Sequence, residues 1–188
     1  MTKLEAGLVR ITSFLHDRGI PYMVIGGFAN LFWGVERFTR DLDLTIEVSD
    51  AALEKLVTSL SGQFELVEHD ALAFARRNHL IQLQDRSGVP VDLIVAALPY
   101  ESMAIRRAVE TEVAGTTVRI CSPEDLIIHK LASDRPQDAI DVEGVVLRQA
   151  VKLDREYLGA RIRELAVGLD RPAIVDFYHQ VLRKADSL

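Results

Sequence analysis

Two adjacent glycines, Gly26 and Gly27, stand thirteen residues before the run Asp41–Leu42–Asp43–Leu44, and this spacing restricts the fold more than any other part of the chain. The residues before the glycines, Tyr22–Ile25, are short and apolar, as a buried strand is. A helix is expected over Phe28–Trp33, just after the glycines, and a second strand over Leu42–Val48. A strand that ends in two glycines and opens a helix lets backbone N–H groups come close to an anion at the helix N-terminus. On the second strand Asp41 and Asp43 are two residues apart and share one face, while Leu42, Leu44 and Ile46 take the other. Side-by-side carboxylates repel unless a cation lies between them. Hard divalent ions such as Mg²⁺ or Mn²⁺ suit such oxygen ligands, and Mg²⁺ keeps positions open for substrate phosphates. A third carboxylate, Asp92, interrupts the apolar stretch Val91–Val95, where an ionised group is costly unless it is paired or holds a metal. Asp41, Asp43 and Asp92 are therefore the candidate metal ligands. With the Gly26–Gly27 loop they outline a nucleoside triphosphate site.

The rest of the chain is read around this core. Apolar residues at 4, 8, 11 and 15 predict an N-terminal helix that stops at Gly19 before Pro21. Ser49 or Asp50 is expected to cap a helix over 51–60. Strands are expected over Phe64–Glu68, Ala73–Arg76 and Leu80–Gln84, with Val91–Val95 pairing back after the Ser87–Gly88 turn. A helix over Pro99–Val109 and short strands near 111–113 and 117–120 follow. From Ser122 the pattern is helical, with Pro123 at the first helical position and helices near 123–133, 137–150, 154–166 and 171–184. The expected fold is α/β (α+β): a short mixed sheet with flanking helices over 1–121, and a C-terminal helical lobe over 122–188 packed on it as a single compact unit.

Composition narrows the partners. The 188 residues carry a formal net charge of −6, against a general role in coating nucleic acid, which usually needs a basic surface. Arginines are nevertheless grouped locally at 37 and 40, 76 and 77, and 106 and 107. The single cysteine, Cys121, forms no intrachain disulfide, and the first residues read as an amphipathic helix rather than a secretory signal. No apolar run approaches the roughly 18 residues of a membrane span. A cytoplasmic protein with no membrane partner is expected.

The pattern Gly-Gly, thirteen residues, Asp-Leu-Asp-Leu with a later strand aspartate resembles the DNA polymerase beta-like nucleotidyltransferase superfamily. The segment Arg37–Phe38–Thr39–Arg40–Asp41–Leu42–Asp43 is similar to the R-x-T-x-D-[IL]-D form of its abortive-infection (AbiEii/AbiGii) toxin-like branch. The run from Pro123 through Lys130 to Ala132, then Arg135, Asp138 and Asp141, is similar to that branch's second signature. The resemblance spans about residues 20–145 in scattered motifs. It implies that Asp41 and Asp43 bind metal, that Gly26 and Gly27 hold the triphosphate, and that Lys130 contacts phosphates. It also implies that Asp138 or Asp141 supplies an acidic group from the helical lobe, with Asp92 as the superfamily's third strand carboxylate. Where many members have serine the chain has Gly27, so one hydroxyl to phosphate is missing.

Simpler roles stand beside these. Lys130 also reads as a solvated lysine, Asp92 as a paired structural carboxylate, and Arg135 as a local bridge. Arg37 and Arg40 either steer the triphosphate or an RNA acceptor end, or balance nearby acids. Asp138 and Asp141, three apart on one helical face, are not separable from sequence. The expected activity is Mg²⁺-dependent transfer of a nucleoside monophosphate from an NTP to an acceptor hydroxyl. RNA or tRNA, with an antitoxin protein as partner, is one acceptor reading. A small hydroxylated molecule of the aminoglycoside kind is another, and a catalytically silent nucleotide binder is the third.

Overall fold

A computed structural model of the chain describes every residue except Asp134 and Leu188. Contacts divide the chain into two units: Met1–Phe28 with Phe38–Cys121, and Ala29–Arg37 with the residues from Ser122 on.

The first unit is built on a sheet. Helix α1 (Lys3–Asp17) begins with a reciprocal cap, Glu5 N–H donating to Thr2 Oγ1 at 3.1 Å and Thr2 N–H donating to Glu5 Oε2 at 2.6 Å. Its buried face is Gly7, Leu8, Ile11, Phe14 and Leu15, and it ends where Gly19 turns to a φ of +63°. The strands are β1 (Tyr22–Ile25), β2 (Leu42–Ile46), β3 (Glu65–Leu66), β4 (Leu80–Gln84), β5 (Pro90–Val95), β6 (Val109–Val113) and β7 (Thr116–Ile120). Among the described residues they form one sheet in the order β3-β4-β5-β2-β1-β7-β6. The sheet is mixed: β2 runs parallel to β5 and β1 parallel to β7, and the other neighbours are antiparallel.

The register of β2 is pinned by burial. Leu42, Leu44 and Ile46 are wholly buried, and each such side chain contributes roughly 1.5–3 kcal/mol on leaving water. A one-residue slip would send all three to the opposite face and turn Asp43 into the apolar layer. The same alternation on β5 buries Val91, Leu93 and Val95 and leaves Asp92 half-buried. Helix α5 (Pro99–Arg107) packs against β1 and β2.

Three local expectations are corrected. Ala73–Arg76 is not a strand but the middle of helix α4 (Ala71–Asn78). Asp70 caps that helix by accepting from Ala73 N–H at 3.0 Å, and Ala71 and Ala75 are buried one turn apart. A short apolar run does not by itself distinguish the two periods, and alanine favours the helix. Of Phe64–Glu68, only Glu65–Leu66 pairs as a strand. Helix α2 (Gly26–Trp33) starts at the glycines, not after them. Helix α3 (Asp50–Ser61) completes this unit, with Ser49 at its N-cap but no side-chain capping bond.

The second unit contains α6 (Pro123–Ala132), α7 (Pro136–Gln149), α8 (Arg155–Gly168) and α9 (Ala173–Asp186). Ser122 Oγ accepts from Asp125 N–H at 3.1 Å to open α6. Its core includes Leu126, Ile127, Val142, Val145, Leu158, Ile162 and Tyr178.

Segment Ala29–Arg37 lies close along α7. A Cβ on Gly144 would meet Val35 N at 3.2 Å, so the small residue admits the strap's backbone. Gln149 Nε2 donates to Trp33 O at 3.1 Å, and Arg148 Nη1 donates to Gly34 O.

Candidate active site

The sheet register assembles a polar row. Gln82 on β4 is opposite Asp92 on β5, Asp92 is beside Asp43 on β2, and Asp43 is opposite Ile25 on β1. Two carboxylates thus occupy adjacent parallel strands at the same level, on the face that the aliphatic residues of β2 do not use. Gly26 follows Ile25 directly. Its φ is +66°, and a Cβ there would lie 2.0 Å from Asp43 Oδ2. The glycine is required twice, by backbone conformation and by the space the carboxylate occupies. Gly27 is buried in the first turn of α2.

Asp41 is exposed, one residue before β2, and accepts from Thr39 Oγ1 at 2.9 Å. Gln82 Nε2 donates to Asp92 Oδ1 at 3.3 Å. Burial pushes the Asp92 carboxyl above its ordinary range. The Gln82 bond pulls it down, and the charge of Asp41 pushes it up again. The sheet therefore holds Asp92 where its ionised form is disfavoured, and a cation would relieve that cost. Arg40 is exposed, its guanidinium carbon 5.3 Å from the centre of the Phe38 ring.

The donors fit a hard divalent ion in kind: carboxylate oxygens, with Asp43 and Asp92 adjacent. Among the described residues, no group of three or more His, Cys, Asp or Glu side chains is arranged to hold a metal by itself. A Mg²⁺ site bound by one or two carboxylates, with water and substrate phosphates completing the shell, does not need one.

The second unit holds the other candidates in one buried ion cluster. Lys130 Nζ donates to Asp138 Oδ1 at 2.8 Å and to Asp141 Oδ2 at 2.6 Å, and the lysine side chain is 5% exposed. Arg37 grips Asp141 with both ends of its fork, Nε to Oδ1 at 2.9 Å and Nη2 to Oδ2 at 2.8 Å. Gln137 Nε2 adds a bond to Asp141 at 3.1 Å, and Arg135 Nε donates to Asp138 at 2.8 Å. Burial alone would raise both aspartates. The bonds from Lys130, Ser133 and Arg135 to Asp138, and from Arg37, Lys130 and Gln137 to Asp141, outweigh it and hold both carboxyls below their ordinary range. Arg37 is thus tied to an acid 104 positions away, and Arg135 is the local bridge that its sequence position suggests.

Sequence reasoning missed Gln82, Thr39, and the match of strap to α7 at Gly144. Gln82 was detectable, because it alternates with Ile81 and Leu83 on a strand expected to pair with Asp92's. The contact at Gly144 had no local signal.

A family described as nucleotidyl transferases of unknown function (DUF2204) matches residues 5–177. The chain belongs to this family. Its fold is shared with similar solved structures. A nucleotidyltransferase-like protein from Paracoccidioides brasiliensis shares 19% identity over 94% of this chain and 92% of its own, with a TM-score of 0.55. The antibiotic-resistance factor ANT(2'')-Ia shares 20% identity over 88% of this chain and 94% of its own, with a TM-score of 0.58. The lincosamide antibiotic adenylyltransferase LnuA, solved with lincomycin, shares 16% identity over 77% and 96%, with a TM-score of 0.53. No curated protein matches this nucleotidyltransferase in sequence. No helix among its described residues is long and apolar enough to cross a membrane.

Proposed function

We propose that this nucleotidyltransferase moves a nucleoside monophosphate from an NTP to an acceptor hydroxyl, with Asp41, Asp43 and Asp92 holding Mg²⁺ or Mn²⁺. The observation that supports this most is the pairing of Asp43 with Asp92 on adjacent parallel strands, beside a glycine whose missing side chain leaves room for the Asp43 carboxylate. When bound, the metal supplies charge neutralisation for the triphosphate and lowers the pKa of the attacking hydroxyl. Asp92, level with Asp43 on the neighbouring strand, would complete the carboxylate set that holds the ion, and the ion would offset the cost of its burial. Backbone N–H groups at Gly26 and Gly27 face the triphosphate, and Arg40 adds positive charge near the carboxylates. In the second unit Lys130, paired with Asp138 and Asp141, is the candidate for a phosphate contact.

The acceptor reading that the chain's charge favours is a small hydroxylated molecule. A net charge of −6 opposes extended RNA contact, and of the similar solved structures LnuA is by name a lincosamide antibiotic adenylyltransferase and ANT(2'')-Ia an antibiotic-resistance factor. RNA, with an antitoxin partner, is the second reading, carried by the toxin-like signature from Lys130 to Asp141.

A labelled-transfer assay tests both. The protein is incubated with Mg²⁺, each α-labelled NTP, and either cellular RNA or a panel of hydroxylated small molecules including aminoglycosides and lincosamides. Label that moves into one panel and is lost in the Asp41→Ala/Asp43→Ala variant establishes the reaction and its acceptor class. Wild-type turnover by Asp43→Ala refutes the proposed site.

A further inference from the structure

The acids of the two units are met by different kinds of donor. In the second unit the buried aspartates face cations: Asp138 meets Lys130 and Arg135, and Asp141 meets Lys130 and Arg37. In the first unit the donors are neutral. Asp41 accepts from the Thr39 hydroxyl at 2.9 Å, and Asp92 accepts from the Gln82 side-chain amide at 3.3 Å. A cation beside a carboxylate both fixes it and cancels its charge. A neutral amide fixes it and leaves the charge to an incoming ion.

Sheet register gives Gln82 this place. It stands opposite Asp92 across the β4–β5 ladder, and Asp92 lies level with Asp43 on β2, so the row runs from amide to carboxylate to carboxylate. The last torsion of an aspartate is soft, and without a donor the carboxylate has no fixed direction. The Gln82 bond takes Asp92 Oδ1 and leaves Oδ2 for a ligand. The strand does not need the Gln82 side chain for its pairing. Backbone bonds join β4 to β5, and Val67 N–H donates to Gln82 O at 3.0 Å on the other side.

We propose that Gln82 is a positioning residue for the metal: its amide sets the direction of the Asp92 carboxylate and leaves Oδ2, with the full negative charge, to a divalent ion. The proposal rests on the reading of Asp41, Asp43 and Asp92 as metal ligands and extends it to a residue that holds no ion itself.

Mn²⁺ titrations without nucleotide, followed by electron paramagnetic resonance, test it beside thermal melts. Gln82→Met keeps the length of the side chain and removes the donor. It is expected to weaken Mn²⁺ binding about tenfold or more, the usual effect of losing a residue that orients a metal ligand, with the melt little changed. Gln84→Met makes the same change two residues along the strand, where the side chain donates to Gly88 O and the opposite residue is Pro90; it should leave Mn²⁺ affinity unchanged. In an Asp92→Asn background Gln82→Met should weaken binding no further, because its effect passes through Asp92. Asp43→Asn separates two failures. Absent Mn²⁺ binding, or binding that Asp43→Asn leaves intact, overturns the metal reading and this proposal with it. Binding that Asp43→Asn weakens and Gln82→Met does not overturns this proposal alone. An equal loss from Gln84→Met, or an undiminished effect of Gln82→Met in the Asp92→Asn background, also overturns it.

Discussion

Replacing Gly26 by alanine tests whether the glycine exists for the carboxylate beside it. Two costs arise. The residue has a φ of +66°, where an L side chain costs about 1–2 kcal/mol. The new Cβ would also lie 2.0 Å from Asp43 Oδ2 and 2.8 Å from its Cγ, so Asp43 must move. Overpacking of this kind adds roughly 1–3 kcal/mol. Gly19→Ala separates the two, because Gly19 has nearly the same φ, +63°, with nothing within 4 Å of its Cβ position. In a chain of this size about 1 kcal/mol lowers Tm by roughly 2–4 °C. Gly19→Ala should therefore lose about 2–8 °C and Gly26→Ala about 4–20 °C, with the excess of the second over the first measuring the clash. Transfer activity should be unaffected in Gly19→Ala and fall about 100-fold or more in Gly26→Ala, the usual consequence of misplacing a reacting group by an ångström. Thermal melts and labelled transfer on both variants read this out. Equal losses of Tm, with wild-type transfer by Gly26→Ala, would refute the reasoning.

Asp92→Asn should abolish transfer yet stabilise the metal-free protein at neutral pH. The folded carboxyl is raised, so its ionised form opposes folding; this cost is absent below the unfolded pKa of about 3.9 and complete above the folded value. Urea titrations at several pH values check the sign, and a loss of stability at neutral pH would refute it. Asp138 and Asp141 work in the other direction, since their folded carboxyls are lowered. Their contribution is full above pH about 4 and disappears as pH falls through the folded values, so wild type should soften below that pH and Asp141→Ala should show less of the effect. At neutral pH Asp141→Ala should cost about 3 kcal/mol in chemical denaturation, because it leaves Lys130 and Arg37 short of a counter-charge. Lys130→Met decides whether the lysine touches substrate: a phosphate contact predicts lost transfer even where the variant is fully folded, whereas a purely structural lysine predicts lower stability with kcat retained.

Much of the first unit was legible from residue order. The two-residue period on β2 and β5 assigns Asp43 and Asp92 to a polar face because their neighbours Leu42, Leu44, Val91 and Leu93 have one favourable place to go. The Ser122–Pro123 start of α6 is equally local, being a hydroxyl cap followed by a residue that needs no N–H. Ala73–Arg76 was misread because four residues fit either period, and the decision came from Asp70 capping the helix and Ala75 finding a buried place.

What the sequence by itself determined about this protein is the set of groups and their local geometry: a strand followed by glycine, Asp43 on the polar face of a strand with Asp41 just before it, a third carboxylate in an apolar run, and a capped helix carrying Lys130. These follow from backbone sterics and the helix and strand periods, which act over a few residues. Only the tertiary structure decided the partners. Sheet order placed Asp92 rather than another acid beside Asp43. Packing of the strap on α7 gave Asp141 to Arg37, and packing of α6 on α7 bound Lys130 to two aspartates at once. Such pairings join residues as much as 104 positions apart. They are selected by the joint burial of whole elements, which no local pattern encodes.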